Sequence, residues 1–264
     1  FSMPCRNVLP KPLQDPHPKL WMACTNRDTI KVAAQNGIGA LAFSFIDPEE
    51  ALHWSKIYYD TIKSDECVPL GWNVNANIAI VSAFSMHEDR SEAIRRGQDN
   101  FEFFRYSQQK LVAEDFVPGC SNMWEEFLKA RGDASDQLIR AAQEHSEFDG
   151  NGIGTPEDMK KHLGALQDSG VDQVIFLQQA GRNSHKNICE SLELFSQTVM
   201  PEFAQDVIAR EAEKAEELAP YIKEALGRKE FMKKMEPSEV PIVRASVKSA
   251  KVGALGDRGQ KKAS

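Results

Sequence analysis

The sequence predicts an α/β fold in which parallel strands alternate with helices, with about four strands, half of an eight-stranded barrel. Three observations predict it. The stretch from Pro10 to Phe45 reads as strand, turn, helix, strand. Trp72 to Ser85, WNVNANIAIVSAFS, is nearly all apolar after its asparagines. Gly152 to Leu177 opens with a strong helix start and ends in the apolar run VDQVIFL. Strands joined by a helix in this way make right-handed βαβ units, whose sites lie at the carboxyl ends of the strands.

The lead-in from Phe1 to Pro18 is punctuated by prolines and reads as loop. Leu20 to Ala23 is a short strand, and Cys24 to Asp28 a polar turn. Thr29 to Gln35 follows as a helix, stopped by Asn36-Gly37 because glycine accepts the left-handed conformation of a helix end. Ala40 to Ile46 suits a strand buried on both faces. Asp47 caps the next helix, Pro48 fits its first turn, and Glu49 and Glu50 face the positive end of its dipole. That helix runs to about Lys63, with Leu52, Ile57, Tyr58 and Ile62 as its inner stripe.

In the strand from Trp72 to Ser85, Asn75 and Asn77 read either as hydrogen-bonding structural residues or as a polar lining. A charged helix begins near His87. From about 99 to 149 a helical insertion interrupts the rhythm, as two helices around Val117-Pro118-Gly119. Its Phe103, Phe104, Tyr106, Trp124 and Phe127 form either a small core of their own or a cover over the strand ends that touches substrate. The tract from Gly132 to Gly150 is polar and expected to be mobile. Thr155 then caps a helix, Pro156 is its first residue and Asp158 reaches back to complete a capping box. The strand Val171 to Leu177 ends in Gln178-Gln179-Ala180-Gly181-Arg182-Asn183, before a helix from Ser184 to Phe195. The segment 204–240 is a charged helical extension in which Pro220 predicts two helices or a kink. The basic tail, 241–264, is expected to be disordered.

The bulk numbers remove several classes of function. The net charge of −7 argues against a general binder of nucleic-acid backbone. No apolar run approaches the ~20 residues that cross a bilayer. The opening shows no charged-then-apolar leader, so no secretory signal is expected. The five cysteines are scattered with no CxxC pair, which disfavours a zinc site or a disulfide framework and fits a reducing cytoplasm. The six histidines form no HxxxH or HExxH pair. No metal is expected, and no catalytic acid, base or nucleophile is read from the residues.

Several blocks, taken together and in order, resemble the bacterial luciferase-like flavin-dependent monooxygenases. PKPLQDPHPKLWMACTNRDTIKVAAQNGIGAL is similar to that family's fifth strand, helix and sixth strand. NVNANIAIVSAFSMHEDRSEA is similar to its seventh strand and following helix, and GIGTPEDMKKHLGALQDSGVDQVIFLQQAGRNSHKNICESLELFSQTVMPEF to its eighth βα unit. The resemblance runs from Pro10 to Phe203 and implies that residues 1–203 form the second half, strands 5–8, of a (β/α)8 TIM barrel. The first four strands have no counterpart here, so a C-terminal part of such a protein is expected.

The resemblance also implies a cofactor, reduced FMN delivered by a flavin reductase, which with dioxygen oxidises a small organic substrate. A deazaflavin used for hydride transfer is the alternative, and a non-catalytic flavin-binding or oligomerising half-barrel a third reading. It implies cofactor contacts at Cys24, Thr25 and Asn26, at Ser44, and at Gln178 and Gly181, with Asn75 and Asn77 lining the substrate side. A homodimer is expected, with no nucleic acid and no membrane.

Overall fold

The computed structural model describes residues 9–43, 45–113, 119–134, 136–137 and 152–230. The expected tail at 241–264 and most of the tract between Gly132 and Gly150 lie outside them. The chain divides into two compact units, Pro16–Lys229 and a second made of Phe1–Asp15 with Glu230–Ser264. All elements below belong to the first.

Its centre is a four-stranded, wholly parallel sheet in the order β1-β2-β3-β6, formed by β1 (Trp21–Cys24), β2 (Gly39–Ala42), β3 (Ile78–Ala83) and β6 (Gln173–Leu177). The first and last of the expected strands therefore share one sheet and one direction. A second, two-residue parallel pairing joins β4 (Ser85–Met86) to β5 (Ile153–Gly154) just beyond the end of β3. The sequence reading had assigned Gly152–Gly154 only to a helix start.

Local signals set the helices. Helix α1 (Arg27–Gln35) begins with a capping box between Asn26 and Thr29. Helix α2 (Pro48–Ile62) is capped by Asp47, whose carboxylate accepts from Glu50 N at 2.8 Å. Leu52, expected on its inner stripe, is 52% exposed; the buried stripe is Ala51, Trp54, Ser55, Tyr58, Thr61 and Ile62. Helix α3 (Arg90–Ala113) is one 24-residue helix, not a charged helix followed by a separate aromatic one. Gly97 lets it lie against β4, because a Cβ there would collide with Ser85. Asn122 caps α4 (Met123–Arg131). The capping box of α5 (Pro156–Asp168) forms as expected between Thr155 and Asp158. Ser184 caps α6 (His185–Thr198), and the short α7 (Met200–Ala204) follows. Helix α8 (Val207–Gly227) continues through Pro220 as one element, not two. The proline costs one intrahelical bond, and burial of Leu218 and Ala225 on either side holds the helix across it.

The main core lies between the sheet and helices α1, α2, α5 and α8. Cys24, Ala40, Ala42, Ile78 and Ile80 meet Ile30, Trp54, Tyr58, Leu166 and Leu218 there. Small residues on β2 let the helices come close, and Tyr58 fills the space they leave. Next to that core, Phe84, Phe176 and Phe195 form a ring cluster with centroids 4.6 to 5.6 Å apart.

A polar knot ties the amino end of the sheet. The Tyr58 hydroxyl lies 2.9 Å from Ile38 O and 2.8 Å from Asn75 O, and accepts from Asn77 N at 3.3 Å. Asn75 donates to Leu20 O at 2.9 Å, and Asn77 donates to Asn75 Oδ1 at 2.7 Å. Asp172 accepts from Tyr59 and from Ile78 N, each at 2.7 Å, and pairs with Lys214 at 2.9 Å. Burial pushes the Tyr58 and Tyr59 phenols up, so both remain hydroxyl groups. Burial works against the Lys214 charge, but Glu211 and Asp172 outweigh it and raise its pKa. Tyr58→Phe is expected to lower the unfolding free energy by about 1–3 kcal/mol, the cost of leaving buried backbone groups unpaired. A urea titration measures it, and an unchanged midpoint would show that the knot contributes nothing.

Candidate functional site

The carboxyl ends of the strands lead into Thr25-Asn26 after β1, Phe43 to Asp47 after β2, Phe84 after β3 and Gln178 to Asn183 after β6. Helix α3 crosses above them. Phe101 meets Phe45 edge-on with ring centroids 4.7 Å apart, and Phe104 stands 6.0 Å from Phe45 and 6.2 Å from Phe43. Ala83, Ile94, Phe101 and Ile153 make a small core there, with Phe45 and Leu177 packed against it. The other aromatic residues of the insertion pack among themselves, Phe103 with Trp124 and Phe127 at 5.0 and 5.7 Å. Both readings of the insertion hold in part: one face of α3 covers strand ends, the other builds a core with α4.

The loop after β6 is tied to this roof. Arg182 N donates to Asn100 Oδ1 at 2.6 Å, and the Arg182 guanidinium lies 5.0 Å from the centre of the Trp124 ring. Gly181 has φ +58°, and a Cβ there would press on Asn100 and Trp124. Two side-chain oxygens in this loop, Gln178 Oε1 and Asn183 Oδ1, are buried with no hydrogen-bond partner. Unpaired buried acceptors are uncommon and costly, and they favour a donor that binds there.

A cavity of about 190 Å3 opens beside these ends, lined among others by Phe45, Asp47, Ser82, Phe101, Arg105 and His162. Ser82 Oγ and His162 Nε2 are 2.9 Å apart in its wall. A hydroxyl bonded to an imidazole can hold or pass a proton. The sequence reading missed this pair. Ser82 is the polar residue within IAIVSA, and that interruption was its signal. His162, within the unremarkable helix PEDMKKHLGALQD, had none. At the rim, Arg27 grips Glu50 through two bonds of 2.8 and 2.5 Å. Arg27 and the Trp54 indole together pull the Glu50 carboxyl down to about 2.

The structure separates the residues that the resemblance groups together. Gln178 and Gly181 do lie at the carboxyl end of β6, and the exposed Thr25 stands just past the end of β1. Ser44 lies outside the described residues. Cys24 is corrected: it is 0% exposed and faces the helix layer, with its thiol 3.3 Å from Met22 O and 3.4 Å from Thr29 O. Strand parity is the reason, since Met22 and Cys24 point to one face and Trp21 and Ala23 to the other. Burial pushes the Cys24 thiol up. The Asn26 side chain is taken by its own helix, accepting from Thr29 N at 2.9 Å. The N–H groups of Thr25 and Asn26, both among the implied cofactor contacts, already donate to Thr29 Oγ1 at 3.1 and 3.3 Å.

Asn75 and Asn77 are also corrected. They precede β3, which is shorter than the sequence suggested, and belong to the knot at the opposite end of the sheet. Among the described residues no group of three or more His, Cys, Asp or Glu could hold a metal ion, and no helix is long and apolar enough to cross a membrane.

No family model and no curated protein matches the chain. Solved structures do. Monooxygenase RslO1 from Streptomyces bottropensis matches with TM-score 0.49 and 17% identity, over 74% of this chain and 51% of that one. Apo-MsnO8 matches with TM-score 0.47 and 15% identity, over 73% and 54%. The coenzyme F420 dependent tetrahydromethanopterin reductase from Methanopyrus kandleri gives 0.41 and 18%, over 69% and 50%. The chain spans about half the length of the solved structures it matches.

Proposed function

We propose that this chain is the flavin-binding part of a luciferase-like oxidoreductase. The reaction proposed is monooxygenation of a small organic substrate with reduced FMN and dioxygen, the FMN being supplied by a reductase in the cytoplasm. The observation that carries the reading is the pair of unpartnered buried amide oxygens, Gln178 Oε1 and Asn183 Oδ1, at the carboxyl end of a parallel strand. The N–H and hydroxyl groups of a flavin are donors of the kind such oxygens lack.

The fit is partial. Gln178 and Asn183 would hold a polar edge of the cofactor, and Phe45, Phe101 and Phe104 would exclude water from beside it. The implied cofactor contacts at Thr25 and Asn26 do not fit, because their N–H groups are spent within the α1 cap. When bound, reduced flavin supplies the electrons for the oxidation. The chain itself would orient the ring through Gln178 and hold a proton on the Ser82–His162 pair.

The deazaflavin reading shares this site and differs in the use of oxygen. Fluorescence titration with FMN and with F420 tests both. The expected result for this chain alone is weak, saturable binding, because four strands make only half of a barrel mouth. Binding of neither cofactor would overturn the reading, and oxygen uptake with FMN and a reductase separates the two alternatives. Gln178→Ala is expected to weaken binding by about 1–3 kcal/mol through loss of a hydrogen bond. Cys24→Ala is expected to leave it unchanged, since the thiol faces the helices.

A further inference from the structure

Two cavities meet at Arg105. The inner one is the cavity of about 190 Å3 described above, framed by β3, α3, α5 and the start of α2. The outer one, of about 420 Å3, lies between α3 and α4 and is lined among others by Glu102, Tyr106, Phe127 and Arg131. Arg105 lines both, and its side chain is 55% exposed, so it stands at the opening between them. Neither guanidinium of the outer cavity is fully used. Among the described residues, the ion-pair partner of Arg105 is Glu102 at 3.4 Å, long for a charged hydrogen bond. Arg131 gives Nη2 to Asp99 at 3.0 Å and Nη1 to Gly132 O at 3.0 Å. Its Nε is buried with no partner. A buried N–H without an acceptor is uncommon and favours an acceptor that binds there.

We propose that the two cavities take one ligand, an organic acid with an apolar body, and that this is the substrate class of the site. The carboxylate lies between Arg105 and Arg131. The body passes Arg105 and ends among Phe45, Phe101 and the Ser82–His162 pair. A cation would be repelled by both guanidiniums, and a hydrocarbon would leave the Arg131 N–H unpaired. Two acids line the walls, and neither stands in the way. Asp47 is spent as the cap of α2, accepting from Glu50 N. Glu102 holds Arg105 loosely, and exposed pairs of this kind are worth little, so a ligand carboxylate can take its place. The outer wall is otherwise aromatic, with the Tyr106 and Phe127 rings 5.7 Å apart, which suits an apolar body. The chain as a whole carries a net charge of −7, so preference for an acid must come from these local groups and not from a general attraction for anions.

The inference rests on the reading above that the inner cavity belongs to the site, but not on the flavin. Isothermal titration calorimetry on the full chain, without cofactor, tests it with two probes, phenylbutyrate and its uncharged counterpart phenylbutanol. The expected result is saturable binding of the acid, about tenfold tighter than the alcohol. Arg105→Gln is expected to weaken the acid by about tenfold and to leave the alcohol unchanged. Arg131→Lys keeps a charge beside Asp99 but removes the Nε donor, and is expected to weaken the acid as well. Lys56→Gln, which removes an exposed cation of α2 outside both cavities, is expected to change nothing. Absence of saturable acid binding would overturn the proposal. So would equal affinity for the alcohol, undiminished acid binding in either arginine variant, or an equal loss in Lys56→Gln. A chain that prefers the acid but binds neither FMN nor F420 would sink the flavin reading alone. One that binds FMN and shows no preference for the acid would sink only this inference.

Discussion

Replacing Asp158 by alanine is expected to lower the unfolding free energy by about 3 kcal/mol, the lower end of the cost of breaking a largely buried ion pair. Asp158 has two duties. Its carboxylate accepts from Thr155 N at 2.9 Å, completing the capping box of α5. It also accepts from two of the three guanidinium nitrogens of the first residue of α3, Arg90 Nε at 2.8 Å and Nη2 at 2.7 Å. The two side chains are 11% and 24% exposed, so the alanine variant leaves a half-buried guanidinium with less than its full set of partners. Burial works to raise the Asp158 carboxyl, but Arg90 and the Thr155 donors outweigh it and hold it below its ordinary value. The folded-state pKa is therefore the depressed one. Its contribution is complete above the unfolded value of about 4 and is lost as the pH falls through the lower folded value. Urea titrations at neutral pH and near pH 3 check both points. The difference between wild type and Asp158→Ala should be smaller in acid, and an equal difference at both pH values would show that charge plays no part.

Gly152→Ala is the second large effect, with an expected loss of about 3 kcal/mol from a backbone conformation that alanine adopts only under strain, with steric conflict added. Gly152 has φ +93°, and a Cβ would collide with the Ala83 carbonyl oxygen and lie 2.7 Å from Ser82 Oγ. The Gly152 carbonyl also accepts from Ser85 N at 3.1 Å, which starts the small β4–β5 pairing. The collision falls beside the Ser82–His162 pair, so the variant is expected to disturb the cavity as well as the stability. Thermal unfolding measures the first effect. An alanine variant as stable as the wild type would mean that the segment can move away from β3 at no cost.

What was legible in the sequence was local. Asp47-Pro48, Thr155-Pro156 and Ser184 announced three helix starts because a cap acts on residues at most three positions away. The parallel order of the strands followed from the helices between them. Facing was not legible. All four residues of WMAC are apolar, so nothing in it says that Cys24 turns towards α1. The role of Asn77 was equally hidden, because Lys214, which donates to its Oδ1 at 2.9 Å, lies on α8, far along the chain. Residues Arg90 to Ala113 read as a charged helix followed by an insertion from about 99, and Gly97 lies inside the one helix they form. Contact with Ser85 shows that this glycine serves close packing.

The knot of Tyr58, Tyr59, Asn75, Asn77, Asp172 and Lys214 fixes the floor of the sheet, while every residue of the candidate site sits at its ceiling. Chemistry and scaffolding thus occupy opposite poles of the same strands. Such a protein has freedom to exchange the aromatic residues of α3 while the foundation that keeps its strands aligned goes untouched.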